Sequence, residues 1–373
     1  VSTVLMEAST RVSLGRIIAQ GLVPATAACS PLDAVVNLAA LQGQQASAIP
    51  WAIGVRCTGV SRARVEESFA RGELVRSWPM RGTVHVTSAC DHHWLRRLLR
   101  HRRAAWERQA LSLGLDDVLV ERAAQVACEL LETSPLGVSR VELVEAWGRN
   151  GIDTVTASSS QEGLRRRHLI MRLHLDGVLT AGPVRAGEHL IVDARSLPSA
   201  PGVAKGEEGH EEALAVLAAR YAWGHGPIDE ADLARWTGLT LTEARRALAG
   251  ARVAGESIGL PLAEYGAGLA RADLADLVED FRAEAEAMLA LPSFDELHVG
   301  YKDRSCLTDE AGEALICPAK NGMFRPIAVA GGRLVAVRAP GSQVVTADGC
   351  GTYEESARRA FDDWEKWLSE TQQ

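Results

Sequence analysis

The tetrapeptide Gly59-Val60-Ser61-Arg62 returns by identity as Gly137-Val138-Ser139-Arg140. Each copy reads as a helix start, with a serine able to cap the amides of the first turn. Each helix that follows closes on an aromatic residue, Phe69 or Trp147, beside an Arg and a Gly. Ahead of the first copy lie a short amphipathic helix over 12–22, a helix from Pro31 and an apolar stretch over 50–57. Behind it, short β-type runs over 74–78 and 83–86 flank Pro79-Met80-Arg81-Gly82. Helix, helix, hairpin is the order of a winged helix-turn-helix. The second copy has helices over 118–132 and 161–175 and a wing from 178–179 and 189–192. A third copy is expected from helices over 211–222, 230–236 and 241–254, because Trp236 follows Asp229 at nearly the offset of Trp147 from Ser139. Self-similarity at roughly 80–90 residues implies tandem domains, and a chain of 373 residues is too long for one core.

Beyond Asp273 the style changes. A long helix is predicted over 274–291, then β-type runs over 297–301, 325–330 and 333–337. Gly331-Gly332 suits a two-residue hairpin turn, and a helix over 354–368 follows. The expected fold is α+β and mainly α, with three tandem winged helix-turn-helix domains and then a small C-terminal β-barrel. Its expected boundaries are 1–110, 111–195, 210–291 and 292–373, with a Pro- and Gly-rich linker over 196–209.

Composition narrows the partners. A net charge of -8 argues against indiscriminate coating of nucleic acid. Yet residues 61–110 hold eleven arginines against five acids, as a localised phosphate-binding surface would. An arginine-rich composition explains the same count, since only four lysines are present. Seven scattered cysteines without a Cys-x-x-Cys pair fit a reducing compartment, and neither a disulfide framework nor a zinc site. No run approaches the roughly 20 apolar residues of a membrane span, and no signal-peptide pattern opens the chain. A cytoplasmic, nucleoid-associated monomer is expected.

The helix from Pro31 carries the chemistry of most interest. Ser30 and Asp33 form a capping box, Leu32, Val35, Val36, Ala39 and Leu41 repeat at helical spacing, and Gln42-Gly43-Gln44 follows. On a continuing helix Gln42 and Gln44 would diverge by about 200°. They converge only if the helix ends between them, which Gly43 permits. Alone, such a motif reads as solvated amides.

Its company changes that reading. Leu41-Gln42-Gly43-Gln44, Trp78-Pro79-Met80-Arg81-Gly82-Thr83-Val84-His85, Phe294-Asp295-Glu296 with Gly300-Tyr301-Lys302-Asp303-Arg304-Ser305, and Asn321-Gly322-Met323-Phe324-Arg325-Pro326 occur in that order. Together they resemble the AlkZ-like winged-helix DNA glycosylases, over residues 10–340 or so. The resemblance implies three winged helices around a cleft, a C-terminal barrel, and hydrolysis of the N-glycosidic bond of alkylated purines. It also implies an active-site Gln-aliphatic-Gln motif, in which Gly43 here takes the middle place. Crosslinks and natural-product adducts are possible substrates within that class, and self-resistance a possible role.

A purine alkylated at N7 or N3 is already cationic and leaves without a strong acid. Gln44 is expected to orient the attacking water, and Gln42 to assist it or hold the lesion. No cofactor and no metal are expected. His92-His93 diverge on a helix and lack a third ligand. The expected partner is double-stranded DNA containing alkylated purines. Arg81 reads as a phosphate contact or a structural ion pair, and His85 as a structural histidine or a cleft residue. Arg96, Arg97 and Arg100, with Arg102-Arg103, read as a phosphate grip or a solvated face; Arg165-Arg166-Arg167 are similar. Arg333, beside its Gly-Gly turn, reads as a DNA probe or an idle hairpin arginine. Asp295 and Arg304 are expected to buttress the barrel. The alternative function is a non-catalytic winged-helix regulator reading base sequence, and a blander one is a protein–protein scaffold.

Overall fold

Side-chain caps start helices in both parts of the chain. In the computed structural model, which describes residues 2–99, 104–152, 154, 159–199 and 209–370, Ser30 accepts from the Asp33 amide and begins helix Pro31–Asn37. Ser139 and Thr240 form full capping boxes with Glu142 and Glu243. Asp116 and Asp229 cap Asp117–Glu132 and Glu230–Thr237. Each such cap contributes about 1 kcal/mol. The repeated tetrapeptide has one local structure in both places. Gly59 and Gly137 hold φ of 65° and 91°, and Ser61 and Ser139 then accept from the amides three residues on.

The chain is mixed α/β and divides into two compact units, Glu66–Val203 and Val1–Val65 with Ala204–Gln373. In Glu66–Val203 the two predicted wings join. Leu74–Met80 pairs with Thr83–Ser88, and Leu179–Arg185 with Glu188–Asp193. Arg76 faces Ala181, so both hairpins belong to one antiparallel sheet. Arg81 and Gly82 both hold positive φ, 54° and 67°, the mirror-image turn that matches strand twist. Trp147, Leu169, Leu173, Leu179 and Ile191 fill the core, and the Trp147 indole donates to the Ala123 carbonyl at 3.0 Å.

This unit also buries His92, His174 and His189. Burial, with His93 and Arg96 nearby, pushes His92 down to about 3. Burial pushes His189 down to about 4, with Arg76 adding to the fall. Burial, with His92, Arg76 and Arg140 facing it, holds His174 well below its usual range. These rings fold neutral, while the unfolded chain takes up protons below pH 6.5 or so. Stability is therefore fully present above that pH and falls below it, by about 1.4 kcal/mol per pH unit for each ring until its folded pKa is reached. Thermal unfolding at pH 7.5, 6 and 5 should show a steep drop in midpoint across the last interval. A flat profile would contradict buried neutral imidazoles.

In the other unit, helix Ser2–Ala19 is the centrepiece. It starts well before the short amphipathic helix expected over 12–22, and residues 13–23 are all buried, leaving no polar face in solvent there. Leu14, Ile17 and Ile18 pack with Leu274, Leu297, Ile316, Val329 and Val337. Its polar residues are paired instead of solvated, as described below. Helices His210–His225, Glu230–Thr237 and Leu241–Ser257 follow, with hairpin Leu262–Tyr265 and Gly268–Arg271.

The helix expected over 274–291 is broken. Leu274–Asp280 and Arg282–Glu286 meet at Phe281, which has left helical geometry, and Leu289–Leu291 is a strand. Residues expected to run as a strand over 297–301 instead begin in a short helix, Glu296–Val299. Asp295 turns the chain there by accepting from the Leu297 amide. The C-terminal sheet is open, not a closed barrel. Its order is Gln343–Thr346, Arg333–Ala339, Ile327–Ala330, Leu289–Leu291, and each outer strand has one neighbour. Four short strands cannot curl far enough to meet. Helix Glu354–Ser369 packs instead on the sheet, with Phe361 and Trp364 against Trp51. Gly331 and Gly332, both at positive φ, make the expected hairpin turn. Among the described residues, no helix is long and apolar enough to cross a membrane.

Candidate functional site

Gln42 ends a short strand, and Gln44 lies in the bend that follows it. Helix Pro31–Asn37 stops five residues before Gln42, and the chain turns through Ala39 at φ 61°. Leu41–Gln42 then runs as a short strand. Gly43 is therefore not the terminator. The chain leaves the strand at Gly43 and bends at Gln44, so the relation of the two glutamines is set by this bend and not by a helix end. Both are half-buried, and the Gln42 amide oxygen is fully buried with no hydrogen-bond partner among the described residues.

Behind this segment lies a buried polar network. The Gln42 amide donates to Glu296 Oε1 at 2.7 Å. Glu296 Oε2 lies 3.3 Å from the indole nitrogen of Trp236 and 3.3 Å from His225 Nε2. Next to it, the Arg56 guanidinium meets both Asp295 oxygens at 2.8 Å, the Ala52 carbonyl at 2.8 Å and Gln20 Oε1 at 2.7 Å. Burial alone would lower the Arg56 pKa, but Asp295 outweighs it and holds the group charged above its ordinary value. Gln20 also donates to the Tyr301 hydroxyl at 2.8 Å, and that hydroxyl donates to the His225 carbonyl at 2.8 Å. Burial pushes the Tyr301 phenol up, keeping it a donor. Arg16 binds Asp232 at 2.9 Å and lies 3.7 Å over the Tyr301 ring.

Of the motif strings, the one at Phe294-Asp295-Glu296 is the one that reaches the glutamine segment, through Glu296. Asp295, expected as a buttress of the C-terminal sheet, instead anchors Arg56 beside the amino-terminal helix. Arg304 does stay local, 3.2 Å from Glu313 and 3.2 Å from His298. Phe324, from the Asn-Gly-Met-Phe-Arg-Pro loop, packs edge-on against Phe294 and His298. Glu296, His225 and Trp236 were assigned no role from sequence. Glu296 is 254 residues from Gln42, a separation that no spacing rule bridges.

The basic candidates divide. Arg333 is half-buried at its turn, 3.5 Å from the Ser305 carbonyl. In the unit Glu66–Val203, Arg81 reaches His85 Nε2 at 3.3 Å, and His85 Nδ1 lies 3.1 Å from the Thr83 carbonyl. His85 is fully buried, which favours its structural reading over a cleft role. Arg96 donates to the Leu175 carbonyl at 2.7 Å, closing the end of helix Ser159–Leu175. Arg97 is exposed on helix Ala89–Leu98. Arg100, Arg102 and Arg103 lie outside the described residues. His92 and His93 have rings 5.0 Å apart, and His93 Nε2 is 2.7 Å from the Ala194 carbonyl. Among the described residues no group of three or more His, Cys, Asp and Glu is placed to hold a metal.

A family model described as DNA glycosylase AlkZ-like matches residues 35–363, a span that takes in both glutamines and every motif string. The chain belongs to the AlkZ-like DNA glycosylase family. No curated protein sequence matches it. Among solved structures, Streptomyces sahachiroi DNA glycosylase AlkZ is similar in fold, with a TM-score of 0.68 over 96% of this chain and 95% of that one. The two are 21% identical in sequence. Membership makes DNA the substrate and glycosidic cleavage the reaction class.

Proposed function

We propose that this DNA glycosylase hydrolyses the N-glycosidic bond of N7- or N3-alkylated purines in duplex DNA, with Gln44 orienting the attacking water and Gln42 assisting. The observation that supports this reading is the buried, unpartnered amide oxygen of Gln42 on a clamped strand. Buried acceptors are nearly always satisfied, and one left open by the protein suits a ligand or a water that arrives with the substrate. An N-alkylated purine is a cationic leaving group, so the protein's task is to place water and to face the developing positive charge on the sugar with fixed dipoles. Two neutral amide oxygens can do both without a proton transfer from the protein.

The test is direct. Duplex containing N7-methylguanine is incubated with the protein, and released base and alkali-labile sites are measured against undamaged duplex. Base release that depends on the lesion and not on flanking sequence is expected. Sequence-selective binding without release would support a regulator instead.

The same reaction without alkali tests a second expectation. Strand cleavage through a Schiff base requires an amine, and no lysine precedes Lys205 in the chain. Abasic products should remain unnicked, and borohydride should trap no protein–DNA adduct. A trapped adduct would end the reading as a purely hydrolytic enzyme.

A further inference from the structure

We propose that Glu296 is the positioning residue of this site: its buried carboxylate fixes the peptide of Gln42 and so aims the Gln42 amide. The proposal rests on the reading of Gln42 as a group that meets water or sugar.

Glu296 is 1% exposed. Burying a carboxylate is costly unless each oxygen is bonded, so its placement calls for a function. Helix capping is not that function, because Asp295 caps Glu296–Val299. Nor is neutralising Arg56, because Asp295 takes both of its bonds to carboxylate. What Glu296 does is divide its oxygens. Oε1 takes the Gln42 amide, and Oε2 faces the rings of Trp236 and His225. Trp236 shows the change of use most clearly. Its counterpart Trp147 donates to a backbone carbonyl of the preceding helix, whereas Trp236 donates to this carboxylate.

The surrounding chain is shaped to admit the contact. Gly300 leaves the space that Glu296 occupies, since a Cβ there would stand 2.6 Å from its carbonyl and 2.9 Å from Oε2. Ala39, three residues before Gln42, holds φ of 61°, and Phe294, two before Glu296, holds φ of 64°. Both are conformations that L-residues adopt only when their surroundings impose them, and such residues gather where geometry matters to function. The two arms that meet at the Gln42–Glu296 bond are therefore both held against local preference.

The experiment is a double-variant cycle on single-turnover excision of N7-methylguanine, with lesion-DNA affinity measured alongside. Glu296→Ala is expected to slow excision roughly 100-fold, the scale of a small misplacement of a catalytic group, while affinity for the lesion duplex changes by less than about threefold. Glu296→Gln keeps an oxygen for the Gln42 amide and should restore the rate to within about tenfold of wild type. In a Gln42→Ala background, Glu296→Ala should change the rate by less than about threefold, because it acts through a side chain already gone. An equal loss in both backgrounds, or wild-type speed for Glu296→Ala, would overturn the proposal. If Glu296→Ala does not fold, Glu296→Met, which fills the volume without an acceptor, replaces it in the cycle, and the same non-additivity with Gln42→Ala is required. Hydrogen exchange at the Gln42 amide gives a readout independent of catalysis. It should quicken in Glu296→Ala and stay slow in Glu296→Gln; unchanged exchange in Glu296→Ala overturns the positioning role by itself. A wild-type protein that releases no base while the exchange result holds would instead defeat the reading of the glutamines.

Discussion

Replacing Gln44 or Gln42 with alanine is expected to slow release of N7-methylguanine by 10²–10³-fold, about 3–4 kcal/mol of barrier per amide. The size follows from where charge appears. The departing purine takes the glycosidic electrons, and the sugar becomes an oxocarbenium ion with no counter-charge of its own. A fixed amide dipole facing that ion acts in the transition state and hardly at all in the ground state, so kcat should fall with little change in affinity. Both side chains are only half-buried, and the Gln42 oxygen bonds to nothing in the described protein. Their loss should therefore leave the unfolding free energy within about 0.5 kcal/mol of wild type. Variants that excise at the wild-type rate would remove the amides from the chemistry, and variants that merely unfold would show it in the midpoint.

The largest expected effect on stability is at Asp295. Changing it to alanine leaves the Arg56 guanidinium buried without its carboxylate, and breaking one side of such a pair costs about 3–5 kcal/mol. The Arg56 side chain is 1% exposed and that of Asp295 0%, so neither can turn to water. The same change removes the cap on the Leu297 amide. Arg56→Met with Asp295→Leu should recover most of the loss, because two apolar residues leave no orphaned charge. Denaturant unfolding of the two single variants and the double variant measures this. A cost below about 1 kcal/mol for Asp295→Ala would show that the pair is solvated or dispensable.

How far these features can be read from sequence depends on their range along the chain. Ser30, Ser61 and Ser139 announced helix starts because a cap is settled within four residues. Gly331-Gly332 announced a hairpin for the same reason. Leu297 to Tyr301 misled, because β-prone residues say nothing of the turn that Asp295 imposes through its own side chain. The helix over 12–22 reads as amphipathic in sequence, yet its polar Arg16 and Gln20 are buried. Their partners, Asp232 and Tyr301, are more than two hundred residues away. The open edge of the C-terminal sheet was equally hidden, since strand order is a matter of long-range pairing. At the site, the motif strings include Asp295 and Glu296 but say nothing of which residues they meet. The bond between Gln42 and Glu296 needs the whole chain to be folded before it exists.

Helix Ser2–Ala19 has a consequence for how the protein is made. Its apolar partners run to Val337, so a ribosome must add more than three hundred residues after this helix before its pocket is complete. The segment Glu66–Val203 is continuous and can gather its own core much earlier. Translation order therefore favours completing the segment Glu66–Val203 first, while an apolar helix made earlier waits for the strands that cover it.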